Sequence, residues 1–108
     1  MKKEFVDKLV RAFKEGSKYP SLSIEQPGAT IELAYEIQQL FVAELQTEKA
    51  GYKAAVTSEP IQQIMSIKAP VSGVLFSSGE FQANSTIDDS KDLLIETELG
   101  FQTNIDIT

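Results

Sequence analysis

Glu96 and Glu98, two positions apart, and Lys53, set among small residues, are the side chains of this sequence best suited to chemistry. If residues 93 to 108 form a strand, both carboxylates project from one face with Cα atoms about 7 Å apart, close enough to share a cation. The chain has no histidine and no cysteine. Any metal must therefore rest on oxygen ligands, which favours hard cations such as magnesium, calcium or manganese over zinc. A plainer reading also fits the pair. Gln102, Asn104 and Asp106 continue the same face, and an exposed strand face is polar by default. Periodicity alone favours that plainer reading, although Leu94 and Gly100 bracket the pair and make its surroundings less uniformly polar. Lys53 is read from its own neighbours as a strand lysine extending to water, and Ser58 as a helix cap.

The elements that must position these residues follow from the hydrophobic pattern. Phe5, Leu9 and Phe13 recur at i, i+4 and i+8 with Val6 and Val10 beside them, and Gly16 follows as a stop, which predicts a first amphipathic helix. Glu4 with Lys8 and Asp7 with Arg11 are favourable i, i+4 pairs on its solvated face. Residues 17 to 29 read as a loop rich in Pro, Gly and Ser, ending at Thr30 as an N-cap. A second helix is expected from there, with Ala34, Ile37, Leu40, Phe41 and Leu45 as its stripe and Gly51 as its C-terminal stop.

Tyr52 to Val56 reads as a short strand. Thr57 or Ser58 then caps a brief helix with Pro60 in its first turn, and Ile61, Ile64 and Met65 are expected to face inward. Gly73 to Phe76 is a second strand, ended by Ser78-Gly79, and residues 82 to 92 read as a loop. From Leu93 to Ile107, apolar residues and threonines alternate with a largely polar set, the pattern of a long strand or of two strands broken near Thr103. The order of helices followed by strands predicts an α+β fold in which N-terminal helices precede the first strands of an incomplete mixed sheet or β-roll.

Composition narrows the function classes. At 108 residues with 42% hydrophobic and 24% charged residues, the chain suits one folded domain. Sixteen acidic against ten basic residues give a net charge of −6, and no basic cluster offsets it, so a nucleic-acid partner is not expected. No apolar run is long enough to span a bilayer and no signal-peptide core is visible. The expectation is a cytoplasmic protein with no membrane partner.

Four segments together resemble the N-terminal part of the 2-keto-4-pentenoate hydratases, within the fumarylacetoacetate hydrolase superfamily. They are Ala34-Tyr35-Glu36-Ile37-Gln38, Gly51-Tyr52-Lys53 through Thr57-Ser58, Gly73-Val74-Leu75, and Leu94-Ile95-Glu96-Thr97-Glu98-Leu99-Gly100-Phe101. Their order and spacing cover nearly the whole chain. The resemblance implies a lyase of aromatic catabolism that adds water to an unsaturated 2-oxo acid such as 2-hydroxypenta-2,4-dienoate. It implies that Glu96 and Glu98 are two of three carboxylate ligands to Mg2+ or Mn2+, that Lys53 is catalytic, and that Thr57 and Ser58 lie near the substrate.

Many members of that family carry an acid soon after the Gly-Val-Leu segment, where this chain has Ser77, Ser78 and Gly79, so its proton-transfer groups are expected to differ. The family's third carboxylate lies downstream of the paired glutamates, and Asp106 is a poor substitute for it. By the resemblance, residues 1 to 108 are one N-terminal segment of a larger enzyme, inactive alone, whose catalytic β-domain is largely absent. Self-association through the edges of the segment from Leu93 to Ile107 is expected as well, making a homo-oligomer. Two other readings are a related 2-oxo diacid decarboxylase and a non-catalytic interaction module.

Overall fold

Lys2–Glu15 form α1, whose Phe5, Val6, Val10 and Ala12 are buried. Gly16 ends the helix at φ 64°, and its N–H and that of Ser17 donate back to the carbonyls of the last turn, an αL closure that favours glycine. A computed structural model describes residues 1–88 and 93–106. After α1 come α2 (Leu22–Glu25), α3 (Ile31–Leu45), β1 (Lys49–Ala55), α4 (Glu59–Met65), β2 (Val71–Phe76) and a 3-10 turn at Ser77–Gly79. The fold class is α+β, a helical layer carrying a two-stranded antiparallel sheet.

Thr30 caps α3 as expected, its hydroxyl accepting from the Leu33 N–H at 3.2 Å. Ile37, only 4% exposed, faces α1 and joins Phe5, Val6 and Val10 in the core, with Leu9, Leu22, Leu33, Phe41 and Leu45 packed around them. Phe13 carries this apolar contact onward. Its ring meets Phe41 of α3 edge-on at 5.9 Å between centroids and Phe76 of β2 edge-on at 5.8 Å, the perpendicular geometry aromatic quadrupoles favour.

The hairpin pairs Tyr52 with Val74 and Lys53 with Gly73, and its register is irregular between Lys49 and Gly51. Its attachment to α3 is polar. Gln38 donates through Nε2 to the Ser72 carbonyl at 3.2 Å and accepts through Oε1 from the Val74 N–H at 3.2 Å. The Tyr35 hydroxyl accepts from the Ser72 N–H at 3.1 Å. These side chains supply the outer edge of β2 with the partners that a third strand would otherwise give.

Several expectations are corrected. The second helix ends at Leu45 rather than near Gly51: Gln46 turns left-handed at φ 52°, and Gly51 lies inside β1, where the chain must run antiparallel to β2. The loop before Thr30 contains α2, whose Leu22 packs on the core. On α1, Lys8 bonds Glu25 of α2 at 2.7 Å instead of Glu4, and Asp7 accepts from Lys3 instead of Arg11. Ile61, Ile64 and Met65 do not face inward; they are 45%, 75% and 55% exposed, because α4 packs little of its surface against the helical layer.

Residues 93 to 106 form neither helix nor strand, and Ile107 and Thr108 of that expected strand lie outside the described residues. Alternation specifies a strand only when another strand bonds the backbone and a layer covers the apolar face. Here the outer edge of β2 is taken by Tyr35 and Gln38.

Ile37→Ala opens a cavity at the centre of the helix pair and should cost about 2–5 kcal/mol, read as a lower urea midpoint of unfolding. Gln38→Ala should act locally. Loss of its two bonds speeds hydrogen exchange at the Val74 amide while leaving α1 amides protected, and an unchanged Val74 rate would contradict the edge-capping role.

Candidate functional site

β1 places successive side chains on opposite faces. Tyr52 turns toward a cleft of about 480 Å³ between α3 and the hairpin, lined also by Tyr35, Gln38, Val42, Lys49 and Val74. Lys53 lies outside that lining and reaches the C-terminal segment. Its Nζ donates to Glu98 Oε1 at 2.6 Å and to Glu96 Oε2. Three of the five residues singled out from the sequence are thus brought together across separations of 43 and 45 positions.

The two glutamates converge without a regular strand beneath them. The ammonium of Lys53 bridges them, its single positive charge offsetting part of the repulsion between the two carboxylates. The hydrogen bonds that Lys53 donates, first to Glu96 and then to Glu98, hold its ammonium above the ordinary lysine pKa. The Lys53 hydrogen bond, reinforced by its charge, holds the Glu96 carboxyl below the ordinary glutamate value. The three side chains are 36%, 62% and 51% exposed in the order Lys53, Glu96, Glu98. Exposed pairs of this kind add little to stability, so their importance is positional.

Thr57 and Ser58 sit at the exit of β1, both exposed. Ser58 is the N-cap of α4, as its sequence position suggests, but its side chain makes no capping hydrogen bond. No hydrogen bond joins either residue to the Lys53 cluster among the described residues. The residue before them, Val56, has φ 56°, an unfavourable conformation for a β-branched side chain. Its carbonyl accepts from Gln62 Nε2 at 3.0 Å, which ties this turn to α4. The strained turn sets the direction in which Thr57 and Ser58 leave β1.

Glu96 and Glu98 present hard oxygen donors already gathered around one positive charge, a donor set suited to magnesium or manganese. Among the described residues, no group of three or more acids is arranged to hold a metal. Sequence reasoning missed Tyr35 and Gln38 as the residues that seat the hairpin. Their separation of three on α3, beside the buried Ile37, was the available signal.

The cluster has a defined pH range. Because the Glu96 pKa is lowered on folding, its contribution is present above the ordinary value of 4.5 and lost as pH falls through the lower folded value. Because the Lys53 pKa is raised, its contribution is complete below 10.5 and lost as pH rises through the higher folded value. In a carbon-detected NMR titration, Lys53→Met should return the Glu96 midpoint upward toward the ordinary range. An unmoved midpoint would show that the ion pair does not form in solution.

Among the described residues no helix is long and apolar enough to cross a membrane. Comparison with protein-family models and with curated proteins finds no match for the chain.

Proposed function

We propose that this chain contributes the metal-holding carboxylates and a proton-transferring lysine to a hydratase site, acting in the cytoplasm on an unsaturated 2-oxo acid. The observation that carries this reading is the convergence of Glu96 and Glu98 on the Lys53 ammonium, reached from segments more than forty residues apart. The resemblance of the sequence to 2-keto-4-pentenoate hydratases supports the same assignment. A decarboxylase of a related 2-oxo diacid would draw on the same groups.

Glu96 and Glu98 would hold Mg2+ or Mn2+. Once bound, the cation supplies Lewis-acid stabilisation of the negative charge that develops on the oxygens of a 2-oxo acid. The chain's own residues divide the remaining work. The glutamates would hold the cation against which the 2-oxo carboxylate end is placed, and Lys53 Nζ, adjacent to both and kept protonated by them, would donate its proton to the substrate carbon or oxygen. Two carboxylates offer few of the six or more oxygens a hard cation takes. Binding by these residues alone is therefore weak, with water and substrate oxygens completing the shell.

Manganese binding, followed by paramagnetic broadening of amide signals, tests the assignment. Broadening should centre on residues 95 to 99 and 52 to 54, grow when pyruvate is added as a 2-oxo acid probe, and fall at least tenfold in Glu96→Gln or Glu98→Gln. Asp106→Asn should behave like the parent chain. Equal broadening in the parent and both glutamine variants would leave the pair as an ordinary solvated surface.

A further inference from the structure

Lys49 and Tyr52 stand three apart on β1, so in an undisturbed strand their side chains would leave opposite faces. Both nevertheless line the cleft of about 480 Å³ between α3 and the hairpin. The irregular register between Lys49 and Gly51 explains this, because it places an extra residue, Ala50, in β1. A bulge of this kind re-aims the side chain beside it. Ala50 lines a separate hollow with Phe13 and Phe76, and Lys49 is turned into the cleft with Tyr52. The opposite wall is one face of α3. Tyr35, Gln39, Val42 and Gln46 line it at i, i+4, i+7 and i+11, the spacing of a single helix face and a different face from that of Ile37, which packs on α1.

We infer that this cleft is a second ligand site, separate from the Lys53 cluster, and that it takes a flat aromatic carboxylate. The charge of the ligand follows from Lys49. Lys2, Lys3, Lys8 and Lys53 each meet a carboxylate of the chain, whereas Lys49 makes no ion pair among the described residues, in a chain of net charge −6. It is also the only charged side chain among the described residues that line the cleft. One unpaired ammonium at the end of an otherwise neutral lining suits one carboxylate, held by a charge-assisted hydrogen bond.

The body of the ligand follows from the walls. Tyr35 and Tyr52 bring a ring from each side, Tyr52 being 69% exposed, and the half-buried Val42 and Val74 add apolar surface. Aromatic faces and edges favour a flat, unsaturated partner. Part of this wall is fixed before any ligand arrives. The Tyr35 hydroxyl accepts from the Ser72 N–H at 3.1 Å and keeps its own proton to donate, and the Gln38 amide is bonded at both ends. The volume falls within the range of small-molecule pockets.

Titration with 2-naphthoate, followed in amide correlation spectra of the full chain, tests the inference. Saturable shifts should centre on Gln39, Gln46, Lys49, Tyr52 and Val74 and leave Glu96 and Glu98 unmoved. Lys49→Met should weaken binding about tenfold, the loss of one charge-assisted hydrogen bond, and Tyr52→Ala should weaken it as well, both with α1 amides and helical circular dichroism unchanged. Lys68→Met should bind as the parent does. The neutral 2-naphthamide and the non-planar cyclohexanecarboxylate should each bind more weakly than 2-naphthoate. Absence of saturable shifts at the cleft would overturn the inference. So would equal affinity in Lys49→Met, an equal loss in Lys68→Met, or 2-naphthamide binding as tightly as 2-naphthoate.

Discussion

Strand edges carry N–H and C=O groups that must find partners, and in a two-stranded sheet both strands have an outer edge. On β2 the partners are side chains. Gln38 bonds Ser72 and Val74 as a neighbouring strand would, and Tyr35 takes the remaining Ser72 N–H. A hairpin of this size is marginal alone in water, and these bonds, together with the edge-on contact of Phe13 with Phe76, make it part of the helical layer. The direction of β1 follows from this seating. Tyr52 is committed to the cleft beside α3, and by alternation Lys53 is committed to the other side, where the two glutamates meet it.

Much of the framework was legible because local chemistry specified it. Gly16 and Thr30 announce a helix end and a helix start through backbone conformation and hydroxyl capping, and both do so in the structure. β2 lies where Val71, Val74, Leu75 and Phe76 precede the turn residues Ser77 to Gly79, whereas β1, Lys49–Ala55, begins three residues before the expected Tyr52 and stops short of Val56 on a run poor in β-formers. What was not legible depended on contacts between distant segments. The end of α3 is set by the need to bring Lys49 opposite Phe76, a constraint absent from the local pattern. The alternation after Leu93 is a real feature of the sequence, but alternation cannot supply the neighbouring strand that would turn it into a ladder.

The site divides in the same way. Residue types and spacing singled out Lys53, Glu96 and Glu98 separately, and resemblance to a hydratase family joined them. Their meeting at Nζ is a property of the folded chain. Thr57 and Ser58, grouped with them by resemblance, stand at the α4 entrance just after the strained turn at Val56.

A carboxylate pair that gathers around an ammonium is a site for positive charge, and the account turns on whether a divalent cation can take that place. Anomalous scattering from crystals of the chain grown with manganese answers this directly. The account predicts a peak within about 2.3 Å of oxygens from both Glu96 and Glu98, with Lys53 Nζ withdrawn from them. Manganese found only at other carboxylates, with the Lys53 ion pairs intact, would contradict it.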